Sequence, residues 1–112
     1  MKTKETKIFD HSKKLRFNEL AEFSTEGITS KKVIQKETGS VTLFAFDKGQ
    51  GLSEHTAPFD ALVQVIDGKA RITIDGKPFD LETGDSIIMP ANIPHAVDAV
   101  DRFRMLLTMI RE

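Results

Sequence analysis

The chain has 112 residues and a formal net charge of −1, so it has room for one domain and offers no strongly basic surface for nucleic acid or an anionic membrane. Cysteine is absent, which excludes disulfides, thiolate metal sites and cysteine nucleophiles. No apolar run approaches membrane-spanning length, and the N-terminus lacks the apolar stretch of a signal peptide, so we expect a cytoplasmic protein.

Residues 1–24 form a predicted N-terminal arm. The first part, residues 1–14, is polar, and we expect it to fray in solvent or to lie across a partner's surface. Apolar residues at helical spacing then predict one short helical turn near residues 17–22, with Asn18 as its candidate cap.

From Ile28 onwards the apolar pattern changes to a period of two, which is typical of β-strands. The alternation is clear in residues 70–75, where apolar and polar side chains take turns. Short turn signals, most of them containing glycine, recur at regular intervals; they include residues 47–51, Asp67-Gly68, Asp75-Gly76, residues 83–85 and residues 98–102. Short strands without long helices between them predict an all-β antiparallel sandwich or barrel over residues 25–112.

Two segments, residues 62–66 and residues 103–110, are apolar on both faces. A strand that is buried on one face only does not need this pattern. Each of these two segments is therefore expected either to lie centrally in the fold or to have its outer face covered by another subunit. For so small a chain we favour a homodimer, and the outward side chains expected at its interface are Leu62, Ile66, Leu106 and Ile110.

The candidate site is formed by two of the three histidines. His11 lies in the polar arm and is expected to be solvent-exposed, whereas His55 follows a glycine turn and His95 follows Pro94, each at the start of a patterned segment. Odd-numbered positions share the inward register, so His55 and His95 should face each other in one pocket, partly desolvated and with lowered pKa values. The predicted pocket residues are His55, Ala57, Ala61, Val63, Met89 and His95.

These segments resemble the two conserved motifs of the cupin superfamily. The glycines, histidines and proline at the expected motif positions are Gly49, His55, Gly68, Gly84, Pro90 and His95. Asn92 replaces a motif glycine, and asparagine is the residue that best tolerates the left-handed conformation expected there. The resemblance implies a small RmlC-like jelly-roll barrel, also called a double-stranded β-helix.

The departures from the cupin pattern concern the metal ligands. The resemblance implies one divalent metal held by two histidines and a glutamate of the first motif and by the histidine of the second. Ala57 and Ala61 occupy two of those positions, and Ala99 replaces the closing asparagine. His55 and His95 therefore predict one divalent transition metal (zinc, nickel, manganese or iron) that is weakly held and lost below about pH 6, or no metal at all.

Three further polar residues are candidates for a third metal ligand: Glu54, Asp60 and Gln64. All three are even-numbered, so simple alternation directs them outward, away from the histidines.

Three hypotheses for the function follow. The first is a small-molecule-binding cupin with His55 and His95 as polar lining, in a pocket that Ala57 and Ala61 enlarge. The second is a metal-dependent enzyme of the dioxygenase, isomerase or decarboxylase type that the family includes, with an incomplete two-histidine site. The third is an associative role in which a dimer senses a partner. The fold does not decide among them, and the sequence supports no nucleophilic triad or nucleotide loop.

Overall fold

The computed structural model describes residues 9–112, which form seven strands and one short helix. The elements are α1 (Phe17–Leu20), β1 (Ile28–Lys36), β2 (Gly39–Phe46), β3 (Gly51–His55), β4 (Asp60–Ile74), β5 (Lys77–Glu82), β6 (Ser86–Met89) and β7 (His95–Ile110). All strand pairs are antiparallel, so the predicted all-β fold with a single short helical turn is confirmed. The first eight residues, part of the arm expected to fray or to lie across a partner, are outside the described residues. No helix of residues 9–112 is long and apolar enough to cross a membrane.

Two long paired strands, β4 and β7, organise the barrel because each of them belongs to both of its halves. The first part of β4 pairs with β6 and with the end of β7, while its second part pairs with β5 and with the start of β7. Strands β2 and β1 extend the first half beyond β7, and β3 extends the second half. The inner faces of the two halves pack together and form the jelly-roll core.

The corner between the halves lies at Gly68. The register between β4 and β7 shifts on both sides of this residue, between Val65 and Asp67 and between Gly68 and Ala70. Gly68 has a φ of 98° and lies against the backbone of Arg102 and Phe103, where a side chain has no space. The turns predicted at Asp67-Gly68 and at residues 98–102 are therefore wrong, because the two strands bend together there instead of reversing.

The predicted hairpin at Asp75-Gly76 is confirmed. Ile74 and Lys77 are register partners, so only Asp75 and Gly76 connect β4 to β5. Asp75 and Gly76 both have positive φ values, 52° and 79°. Such values are typical of a tight primed turn, whose twist matches that of the flanking strands.

The core between the two halves is apolar and made of side chains that alternate along the strands. Its largest fully buried members are Phe46, Phe103, Ile72, Met105, Val63 and Val97. Phe46 and Phe103 stack with their ring centroids 4.6 Å apart.

Residues 9–24, the described part of the N-terminal arm, cover part of the outer face of the barrel. Ala21 is buried there with Val33, Leu43 and Ala45, and aromatic residues of the arm pack around them. Ile66 and Leu106 pack against this second cluster. These two outward residues are therefore partly buried within the chain itself, and their place in a dimer interface stays a prediction.

Arg104 fastens the arm to the barrel corner. Its Nε donates a hydrogen bond to the carbonyl oxygen of Ala21 over 2.7 Å, and its Nη1 contacts a carboxylate oxygen of Asp67, also over 2.7 Å. The guanidinium group lies over the ring of Phe23, 4.3 Å from its centroid. The predicted cap is corrected as well, because Asn18 lies inside α1 and Arg16 precedes the helix without a side-chain capping bond.

Substitution of the corner glycine tests this architecture. We expect Gly68→Ala to lower the free energy of unfolding by about 3 kcal/mol, since the new methyl group combines positive-φ strain with overlap of the Arg102 and Phe103 backbone. Gly76→Ala is the matched control: its φ is also positive, but its Cβ would meet nothing within 4 Å, so only the strain of about 1 kcal/mol remains. Urea denaturation measures both, and equal losses would contradict the role of the corner.

Candidate functional site

The two histidines of the predicted site meet at one end of the barrel. His55 ends β3, His95 begins β7, and the two are direct register partners. Their Nε2 atoms are 3.2 Å apart, and their ring centroids are 4.4 Å apart with the rings inclined at 71°. The predicted convergence of the two side chains is confirmed, while their role as a site stays a prediction.

Backbone carbonyl groups fix the orientation of both rings. The Nδ1 of His55 lies 2.7 Å from the carbonyl oxygen of Ser53, and the Nδ1 of His95 lies 3.2 Å from that of Ile93. A carbonyl oxygen only accepts hydrogen bonds, so each Nδ1 carries the hydrogen. Each neutral imidazole then has its lone pair on Nε2, and the two lone pairs point towards each other. A proton or a metal cation between the rings would satisfy both lone pairs at once.

The two rings differ in their exposure to solvent. His95 is buried, with 7% of its surface exposed, and this burial lowers its pKa below the ordinary value of 6.5. The charge of His55 lowers the same pKa further, against the opposing effect of the Ile93 carbonyl. His55 is exposed, in contrast to the desolvation expected for it.

The rings border a small cavity of about 80 Å³. Its lining residues are His55, Ala57, Phe59, Ala61, Met89, His95, Leu107 and Met109. Five of the six predicted pocket residues are among them, and Val63 is not, because it is fully buried in the core. Leu107 and Met109 are not among the predicted pocket residues, although their odd-numbered positions in β7 share the inward register of His95. Phe59 precedes β4, where strand alternation makes no prediction.

The cavity beside the two alanines is small. A cavity of 80 Å³ is far below the roughly 300–1,000 Å³ of pockets that enclose drug-sized ligands. Phe59, Met89 and Met109 occupy the space beside Ala57 and Ala61. The alanines have thus been compensated by large apolar side chains.

The donor set fits a metal only in part. Two Nε2 atoms 3.2 Å apart match neighbouring ligands of one ion with metal–nitrogen bonds of about 2.1 Å. Within residues 9–112, however, no group of three or more His, Asp or Glu residues is arranged to hold an ion. Glu54 and Gln64 are exposed, and the Asp60 carboxylate accepts a hydrogen bond from the Ala91 amide. His55 and His95 are the only protein ligands that this end of the described chain offers, so other ligands would have to complete the coordination.

The lowered pKa of His95 leads to a pH dependence of stability. The unfolded chain binds a proton at His95 more readily than the folded protein does. The contribution of neutral His95 to stability is therefore fully present above about pH 6.5, and it is lost as the pH falls towards the lower pKa of the folded state. We expect the chelator-treated protein to lose stability as the pH falls below about 6.5, and His95→Gln to flatten this slope. His11→Gln, in the exposed arm, should leave it unchanged. Urea denaturation across this range measures the effect, and an NMR midpoint for His95 above 6.5 would contradict it.

Comparisons with known proteins agree with this architecture. The family model described as the cupin domain matches residues 42–110. A conserved protein of unknown function from Streptococcus pyogenes is 36% identical, with a TM-score of 0.89 over 93% of this chain and 91% of that one. A cupin superfamily protein from Desulfitobacterium hafniense is 28% identical, with a TM-score of 0.87 over 96% of this chain and 99% of that one.

A third similar structure is a larger protein. The cupin 2 conserved barrel domain protein from Leptotrichia buccalis is 42% identical with a TM-score of 0.81, and the alignment covers 84% of this chain but only 46% of that one. The comparison with curated proteins found no significant match. From the matched cupin-domain model and the S. pyogenes structure together, this chain belongs to the cupin superfamily.

Proposed function

We propose that this protein is a small-molecule-binding cupin whose ligand is held by the His55–His95 pair. The observation that carries the proposal is the approach of two Nε2 atoms to 3.2 Å while both Nδ1 atoms are engaged by backbone carbonyls. The backbone thus presents two unsatisfied lone pairs at the edge of an apolar cavity. A polar group of a ligand finds its partners only there, because the other lining side chains are apolar.

The chemistry of the pair indicates a small organic acid as the ligand. An acid delivers its hydrogen to the pair, which becomes a single imidazolium shared between the rings, and the resulting anion lies beside that charge. The cavity of about 80 Å³ accommodates only the acidic group and a few further atoms. A larger ligand extends past the exposed His55 into solvent.

Binding of acetate and longer unbranched carboxylates to the chelator-treated protein tests the proposal. We expect a shift of the His95 ring resonances on titration, and an affinity at least tenfold weaker in His55→Ala and His95→Ala because one half of the pair is missing. His11→Ala, in the exposed arm, is the matched control and should bind as the unsubstituted protein does. Equal affinities in all four proteins would refute the assignment of the pair.

A second candidate function, a divalent-metal-dependent enzyme, is favoured by the same 3.2 Å spacing. His55 and His95 would hold the ion through Nε2, and a bound divalent metal would supply Lewis-acid polarisation of a ligand oxygen. Ala61 provides no carboxylate to balance the charge, so this candidate ranks second. Its distinguishing feature is that ligand binding depends on added metal.

Metal titration separates the two candidates. We expect substoichiometric zinc, nickel, manganese and iron in protein purified without an affinity tag, and a zinc affinity that falls as protons compete for the imidazoles below about pH 6. His95→Ala should abolish specific zinc binding, whereas His11→Ala should retain it. One tightly held ion per chain in purified protein would favour the metal-dependent enzyme instead.

We infer further that the binding unit is a homodimer. The support is the exposure of large apolar side chains on the outer face of the barrel: Ile34, Ile88 and Ile110 are 46%, 63% and 59% exposed.

A further inference from the structure

Arg111 differs from the other arginines of the chain in its partners. The chain contains five arginines, and each of the other four has a carboxylate oxygen within 4.0 Å: Arg16, Arg71, Arg102 and Arg104. Arg111 belongs to none of the ion pairs within residues 9–112. Its Nε donates to the carbonyl oxygen of Glu37 over 3.3 Å, and its two Nη atoms have no acceptor in that part of the chain. Its charge is thus available to an anion.

The register of the strands places Arg111 on the cavity side of the sheet. Ala61 of β4 and Met109 of β7 are register partners, and both line the cavity beside the histidine pair. Arg111 directly follows β7 and continues its ladder, because its amide donates a hydrogen bond to the carbonyl oxygen of Thr38. Alternate residues of a strand share a face, so Arg111 lies on the same face as Met109, one step closer to the end of the barrel.

Phe59 connects Arg111 to the cavity. This residue is half-buried, lies two positions before Ala61 and lines the cavity. The guanidinium carbon of Arg111 lies 5.1 Å from the centroid of the Phe59 ring, which is within the range of a cation–π contact. The ring and the Glu37 carbonyl orient the guanidinium before any ligand arrives, which lowers the entropic cost of binding an anion there. One aromatic ring separates this cation from the cavity.

We propose that Arg111 binds a second acidic group of the ligand, so that the ligand is a dicarboxylic acid; this inference rests on the proposed function of the His55–His95 pair. One carboxylate lies beside the protonated pair, as a monocarboxylate does. The chain of the ligand then leaves the cavity past Phe59, and the far carboxylate meets the two Nη atoms of Arg111. A planar guanidinium matches the two oxygens of a carboxylate with parallel hydrogen bonds, which are strong because both partners are charged.

The strand geometry sets the length of this ligand. Met109 and Arg111 are two residues apart, which corresponds to about 7 Å along a strand. This distance is close to the separation of the two carboxyl groups in extended adipate. Hexanoate has the same carbon chain but only one carboxylate. A comparison of the two acids therefore isolates the contribution of the second acidic group.

Titration calorimetry of adipate and hexanoate with the chelator-treated full chain tests the proposal. We expect adipate to bind about tenfold more tightly than hexanoate, because only adipate reaches the guanidinium. Arg111→Gln should abolish this preference and leave the hexanoate affinity unchanged. Arg111→Lys, which keeps the charge but not the two parallel donors, should retain part of it. Arg71→Gln is the matched control: it also removes an exposed arginine, but one that pairs with Asp80, and it should keep the full preference.

The outcomes separate this inference from the proposed function. Equal affinities for adipate and hexanoate, with hexanoate binding still weakened by His95→Ala, would overturn the second acidic group alone. A preference for adipate that survives Arg111→Gln would overturn the role of Arg111. Absence of binding of both acids, or binding that His95→Ala does not affect, would overturn the proposed function itself.

A further variant tests whether the chain supplies its own anion to Arg111. Glu5 is the one side-chain carboxylate of residues 1–8. We expect Glu5→Gln to leave the adipate affinity unchanged, because the guanidinium is kept for the ligand. A tighter binding of adipate in Glu5→Gln would contradict the proposal, since Glu5 would then compete for Arg111.

Discussion

The continuous pairing of β4 with β7 is the constraint on which the rest of the structure depends. Because both strands pass through both halves of the barrel, the inner face of β7 presents His95 at its start and Met109 near its end. The joint bend of the strands at Gly68 folds these two positions onto one cavity. The bend requires a residue without a side chain, since the Phe103 backbone occupies the space of a Cβ. One glycine thus determines that residues far apart along β7 share a site.

The sequence predicted the fold and the convergence of the histidines because both depend on local rules. Alternation of apolar residues fixes which side chains point inward, and Asn92 takes the positive φ, 66°, expected at a glycine position. The misplaced turns at Asp67-Gly68 and residues 98–102 show the limit of such rules. A glycine that permits a turn also permits a bulge, and the choice between them is made by long-range pairing with a strand 35 residues away, Gly68 with Phe103.

The cavity volume and the outer surface depended on information that alternation does not contain. Alternation indicates that Ala57 and Ala61 face inward, but not which large side chains fill the space beside them. Similarly, both faces of residues 103–110 are apolar for two different reasons. Leu106 lies under the arm that Arg104 holds in place, whereas Ile110, four residues further, lies beyond the arm and is exposed. A one-dimensional pattern records both positions as outward and apolar.

The loss of two metal ligands changes the charge that the site requires. With a carboxylate at position 61, a bound dication would be partly neutralised by the protein itself. With Ala61, a proton or cation held by the two imidazoles would have no carboxylate among residues 9–112 arranged to balance it in the cavity. Burial of His95 makes an unbalanced charge costly there, as its lowered pKa shows. Under the proposed function an anionic ligand would balance this charge, and the two alanines would favour an acid over a metal.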